Sequence, residues 1–121
     1  MGIFNSSGNS NSSNSTSSSN LNLLARTVYS EARGEPYAGQ VAVAAVVLNR
    51  VKNSSFPNTI AGVIYQKGAF TAVSDGQINL TPNQTAYNAA RDALNGWDPS
   101  YGSIYYLSLI HISEPTRRVV I

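Results

Sequence analysis

The chain has no cysteine among its 121 residues. Disulfide stapling, a thiolate nucleophile and thiolate-held metal sites are therefore excluded together. Histidine occurs once, at His111, too rarely for an imidazole-built metal centre, and no metal or other cofactor is expected. Charge is also scarce: Asp, Glu, Lys and Arg make up 12% of the residues, with a formal net charge of +2. That is too little basic charge for a nucleic-acid partner. No apolar run approaches the ~18 residues a membrane helix needs, so membrane insertion is not expected. Met1 to Phe4 lead straight into polar residues, without the basic patch and apolar stretch of a secretory signal. Met1-Gly2-Ile3-Phe4-Asn5-Ser6 formally fits an N-myristoylation pattern, a match short enough to arise by chance.

Against these absences stands an unusual excess. Positions 5 to 20 hold only Asn, Ser, Gly and Thr. Such residues bury no apolar area to offset their ordering entropy, so 1–20 is expected to be a disordered tether. The Asn-x-Ser/Thr triplets inside it are what so biased a composition produces. From residue 21 onward the pattern is that of one small domain, near the lower limit at which a single core suffices, and a monomer is expected.

Leu21, Leu24, Ala25 and Val28 fall at i, i+3, i+4 and i+7 and predict an amphipathic helix. Gly34 breaks it, and Pro36 suits the start of the next. Tyr37 to Val51 is apolar nearly all round, with Val41 to Leu48 an unbroken apolar run. Its length and alanines favour a helix, and a helix apolar on every side belongs in the centre of the fold. Asn49, Arg50 and Lys52 form a polar, cationic exit. Thr59 to Gln66 reads as a short helix closed by Gly68. Phe70 to Val73 and Gln77 to Leu80, joined through Ser74-Asp75-Gly76, predict a small β-hairpin. Thr81-Pro82-Asn83-Gln84 reads as a helix start with Thr81 as N-cap. Ala86, Ala89, Ala90, Ala93 and Leu94 form its inner stripe, and Gly96 ends it. Ile104-Tyr105-Tyr106 begins a strand. The expected class is α+β, mostly helical with a small hairpin.

Within this frame Tyr29-Ser30-Glu31-Ala32-Arg33-Gly34-Glu35-Pro36 carries the chemistry. At ~100° per residue, Glu31 lies beside the Leu24 edge of the apolar stripe and borders the core. Partial withdrawal from water penalises the anion, so such a carboxyl group keeps its proton toward neutrality, as a general acid must. The alternative for Glu31 is a structural ion pair with Arg26 or Arg33.

Leu107 to Arg118 reads LSLIHISEPTRR. This resembles the one-frame translation of a transposon-type sequencing-library adapter. Residues 107–121 are accordingly expected to be a non-native tail, and His111 drops out of functional consideration.

Three segments then converge: LARTVYSEARGEPYAGQVAVAAVVLNRV, SFPNTIAGVIYQKGAFTAVSDGQI and LTPNQTAYNAARDALNGWDP, followed by IYY. Together they closely resemble the catalytic domain of bacterial cell wall hydrolases of the spore cortex-lytic enzyme type, from about Leu21 to Tyr106. The resemblance implies a lysozyme-like fold and cleavage of peptidoglycan glycan strands by lytic transglycosylase chemistry. It further implies that the first glutamate of EARGE, Glu31, is the catalytic acid, and that the protein works in the spore cortex or cell wall. The family domain continues past the paired tyrosines with an aromatic, basic segment. Adapter-like residues stand there instead, so the domain is expected to span 21–106 and to be incomplete at its C-terminus. The family's usual wall-binding repeats are absent from the chain.

Other candidates surround Glu31. Phe70 and Thr71 are expected to line the sugar groove, with packing as the alternative for Phe70. Glu35 and Gln40 are expected to contact substrate; Glu35 could equally complement the dipole of the helix after Pro36, and Gln40, like Arg33, could brace the Glu31 turn. Asp75 reads as a turn residue, or as the second carboxylate if the reaction were hydrolytic. Trp97 reads as a hydrophobic cap rather than a sugar platform. The rival function is a non-catalytic wall-binding module with the same fold.

Overall fold

The computed structural model describes residues 8–105, 107–108 and 119–120, with side chains for 18–105. The myristoylation-like pattern, Tyr106, His111 and most of the adapter-like stretch lie outside the described residues. The elements are α1 (Gly8–Ala32), α2 (Tyr37–Lys52), α3 (Ile60–Ile64), α4 (Thr71–Asp75), a 3₁₀ turn (Gln77–Asn79) and α5 (Gln84–Leu94). A two-residue antiparallel pairing of β1 (Leu107–Ser108) with β2 (Val119–Val120) follows.

Helix α2 is central, as its all-round apolarity predicts. Val41 to Val47 are all buried, and the helix packs against α1, α3 and α5. Leu24, Ala25, Val28 and Ala32 turn the predicted stripe of α1 onto it. The third wall is α5, whose buried face is Ala86, Ala89, Ala90 and Ala93. A face of alanines lets two helix backbones approach closely, and these contacts close a three-helix core. Helix α1 starts at Gly8, inside the tract that composition assigns to a tether. Between Gly8 and Asn20 the helix carries no apolar side chain, so the stripe from Leu21 onward attaches α1 to the fold.

Gly34 has φ +92° and ends the α1 turn as expected. Helix α3 is capped by Thr59, whose hydroxyl oxygen accepts from the Gly62 N–H at 2.9 Å. A Cβ on Gly62 would lie 2.7 Å from that same oxygen and 2.8 Å from Cβ of Pro57. The α3 entry therefore requires glycine there.

Two expectations need correction. The predicted β-hairpin over Phe70 to Leu80 does not form: the segment is α4, a left-handed Gly76 (φ +81°) and the 3₁₀ turn. Phe70, Ala72 and Ile78 are buried, and runs of four residues do not distinguish alternation from a helical turn. Backbone satisfaction differs between the two. An isolated hairpin would leave edge N–H groups without partners, whereas here the Ala72 N–H finds a side chain of α1. The second correction is the start of α5. Its N-cap is Asn83, not Thr81, and the Asn83 side-chain oxygen accepts from the Ala86 N–H at 2.8 Å. Asn caps at least as well as Thr, and Pro82 precedes the cap.

The strand expected from Ile104 also begins later. Ile104 and Tyr105 lie outside the strand, and the paired residues fall within the adapter-like tail.

Candidate active site

Glu31 occupies the penultimate position of α1, seven residues after the buried Leu24. Its side chain is half-buried and reaches α4, where Oε2 accepts a hydrogen bond from the Ala72 N–H at 3.0 Å. Burial pushes its carboxyl group above the ordinary carboxylate value. The Ala72 N–H opposes this by favouring the anion, and the negative charge of Asp75 adds to the rise. Desolvation is the largest of the three influences, so the protonated form is favoured relative to a free glutamate. The contacts of the two nearby arginines lie elsewhere. Arg26 donates to Asn22 Oδ1 at 2.6 Å and to the Ile78 carbonyl, while Arg33 donates to Gln77 Oε1 at 3.3 Å and covers the Tyr29 ring.

The remaining candidates separate into two groups. Thr71 is exposed at the first position of α4, beside the Ala72 N–H that holds Glu31. Asp75 is exposed at the last position of α4 and acts on Glu31 through its charge. Phe70, by contrast, is 3% exposed and belongs to the core, so its ring offers no face to a sugar. Gln40 is also buried, and its amide donates to the Glu35 carbonyl at 3.1 Å. It braces the turn between α1 and α2. Glu35 is half-buried in that turn, its own N–H donating to the Ala32 carbonyl at 3.0 Å. Trp97 is 46% exposed and tilts against Tyr37, ring centroids 6.0 Å apart.

Two cavities lined by described residues flank this region, and neither has Glu31 in its wall. One, of about 430 Å³, lies between α1 and the 3₁₀ turn and is walled by Asn22, Arg26, Tyr65 and Asn79 among others. The other, of about 250 Å³, is walled by Arg50, Phe56, Lys67 and Tyr105 among others. Arg50 had read as part of a polar helix exit but is 4% exposed. Its position at i+7 from Val43 and i+3 from Val47 was the available signal, since it places Arg50 on the inward stripe of α2. Among the described residues no three His, Cys, Asp or Glu side chains cluster as a metal site would require, and no helix is long and apolar enough to cross a membrane.

A helical domain thus holds one partly desolvated carboxyl group at a helix end, hydrogen-bonded to the first turn of α4. Residues 34–116 match the family described as Cell Wall Hydrolase, and the chain belongs to that family. The matched stretch begins three residues beyond Glu31. Over 88 residues, 73% of its length, this chain is 62% identical to a spore cortex-lytic enzyme of Bacillus cereus. It is 60% identical over the same length to one from Bacillus subtilis (strain 168). The chain spans 34% and 29% of these two relatives. The fold is similar to the catalytic domain of the Bacillus cereus SleB protein, with a TM-score of 0.71 and 55% identity over 82% of this chain and 78% of that one. It is similar also to the catalytic domain of the germination-specific lytic transglycosylase SleB from Bacillus anthracis. There the TM-score is 0.69 and the identity 56%, over 78% of this chain and 79% of that one.

Proposed function

We propose that this domain cleaves the glycan strands of peptidoglycan as a lysozyme-like lytic transglycosylase, with Glu31 as its acid and then its base. The carrying observation is the Glu31 carboxyl group itself, raised toward its neutral form by burial and fixed at 3.0 Å by the Ala72 N–H. Breaking the β-1,4 linkage requires a proton on the departing oxygen while positive charge develops at the sugar carbon. Protonated Glu31 supplies it. The C6 hydroxyl of the same sugar then attacks the anomeric carbon and returns its proton to the Glu31 carboxylate. The enzyme is regenerated, a 1,6-anhydro end forms, and no water is consumed. One carboxyl group suffices for both transfers, in keeping with the exposed position of Asp75.

The named activities of the relatives support this reading: cortex lysis for the Bacillus enzymes and germination-specific transglycosylation for the Bacillus anthracis domain. The place of action under this proposal is the spore cortex or cell wall, and the domain acts as a monomer. Thr71 contacts the strand from the start of α4, and Glu35 does so from the turn after α1. The tether at 1–20, whose residues from Gly8 onward extend α1, and the non-native tail at 107–121 belong to the same proposal. The adapter resemblance supports the tail assignment, and long-read resequencing of the gene tests it.

Digestion of purified peptidoglycan by the chain and by its Glu31→Gln variant, followed by mass analysis of the fragments, tests the chemistry. Anhydro ends that disappear in the variant are expected. Reducing ends would indicate hydrolysis instead, undiminished cleavage by the variant would remove Glu31 from the mechanism, and binding without cleavage by the unaltered chain would leave a wall-binding module.

A further inference from the structure

The proposed reaction does not use Arg50, yet few side chains in the domain are placed at greater expense. The α2 register draws it inward until 4% of it is exposed. Its Nε donates to the Ile104 carbonyl at 2.8 Å. The rest of the guanidinium faces three rings, those of Phe56, Tyr105 and Phe70, at 5.1, 5.5 and 5.6 Å from their centroids. Ring faces attract a cation but accept no conventional hydrogen bond, and a guanidinium carries five N–H donors in a planar fork. No Asp or Glu acts on Arg50 among the described residues; burial lowers its pKa and Tyr105 is its one electrostatic neighbour. A buried positive charge without a counter-anion is costly, and a pairing anion relieves that cost.

The cavity beside it supplies room for one. Arg50 lines a space of about 250 Å³, with Lys67 at its exposed rim and Gln66 beside it. That volume is below the ~300–1,000 Å³ of pockets that enclose whole small molecules. It suits a charged group on a short arm better than a complete sugar ring. Its wall at Ala69 lies three residues before Ala72, whose N–H holds Glu31. Three residues span at most ~10 Å, so one short strap borders both the proposed acid and the cationic cavity.

We propose that the Arg50–Lys67 cavity is an anion subsite that receives a carboxylate carried by the substrate. Its identity as a substrate site rests on the glycan-strand reading above; anion binding as such does not. Peptidoglycan offers two sources of this chemistry, the C-terminal carboxylate of a peptide stem and the lactyl carboxylate of a muramic acid whose stem has been removed, since an intact stem ties that group up as an amide. In either case a planar carboxylate meets the free edge of a guanidinium fork, the geometry for which arginine is better suited than lysine.

Calorimetric titration of the full chain carrying Glu31→Gln, which removes turnover, tests the proposal with three probes. These are N-acetylmuramic acid, D-alanyl-D-alanine and the neutral tetramer of N-acetylglucosamine. At least one anionic probe is expected to bind, more weakly as salt rises, and the one that does identifies the source. Lys67→Glu reverses an exposed charge and is expected to weaken that binding roughly tenfold, the order for losing a charge-assisted contact, while leaving the tetramer unaffected. Arg50→Lys is expected to do at least as much, with circular dichroism confirming its fold. The proposal is overturned if neither anionic probe binds, or if Lys67→Glu leaves the anionic affinity unchanged or lowers the neutral affinity equally. Undiminished wall cleavage by Glu31→Gln would sink the catalytic reading alone, because probe binding is read without turnover.

Discussion

The three-helix core and the strap from Lys67 to Asn79 are built on opposite principles. In the core, α1, α2 and α5 meet through apolar stripes, and burial alone determines which face turns inward. In the strap, Phe70, Ala72 and Ile78 are buried too, but one backbone N–H, that of Ala72, is taken by a side chain that arrives from α1. Pattern is enough to specify the first region. The second depends on a contact between residues 41 positions apart, and that is also where the chemistry sits.

The contrast can be broken from the core side first. Ala90 is fully buried on the inner face of α5, which packs on α1 and α2. Ala90→Leu should overfill that contact and destabilise the fold by about 1–3 kcal/mol, measured by urea denaturation, with little specific effect on the Glu31 site. A comparable loss is expected for Gly62→Ala, where the new methyl meets Thr59 and Pro57; thermal unfolding would show it. Asn83→Ala removes the oxygen that caps α5 and should cost about 1 kcal/mol. Thr81→Ala, at the position the pattern favoured as cap, should cost far less.

The strap side gives smaller, pH-dependent effects. Because burial raises the Glu31 pKa in the fold, its contribution to stability is fully present below the ordinary value of 4.5. That contribution is lost as pH rises through the raised folded value. Glu31→Gln keeps an oxygen for the Ala72 N–H and carries no charge, so it should gain stability relative to the parent chain as pH increases. Denaturation series at several pH values would check the sign. Smallest of all, Asp75→Asn removes the negative charge that helps raise Glu31. The alkaline limb of the cleavage rate should then move to lower pH with the maximal rate nearly unchanged. An unmoved limb would mean that the charge of Asp75 does not reach the acid in solution.

These differences explain which parts were legible. The α1 stripe from Leu21 to Val28, the break at Gly34 and the burial of α2 follow from local periodicity, and the structure has them. The half-buried place of Glu31 was legible too, because helical spacing puts residue 31 at the edge of that stripe. Phe70 and Gln40 each carried two readings, substrate contact or support, and in the structure one fills the core and the other braces a turn. Both interactions are tertiary, and no local pattern separates an aromatic that packs from one that lines a groove. The hairpin failed for the same reason: strand and short helix bury the same three side chains, so local pattern does not separate them. Arg50 is the instructive omission. Its place on the Val43–Val47 stripe was readable, but its charge drew it to the category of helix exits.

One consequence of the Glu31–Ala72 contact concerns direction. A carboxyl group whose Oε2 is occupied by an incoming N–H keeps its transferable hydrogen on Oε1. The proposed donor therefore has a handed approach, offering its hydrogen from a single edge. A polysaccharide threaded in the opposite sense would present its bridging atom to the occupied edge, so chain polarity would be selected by a main-chain amide before any sugar substituent is recognised.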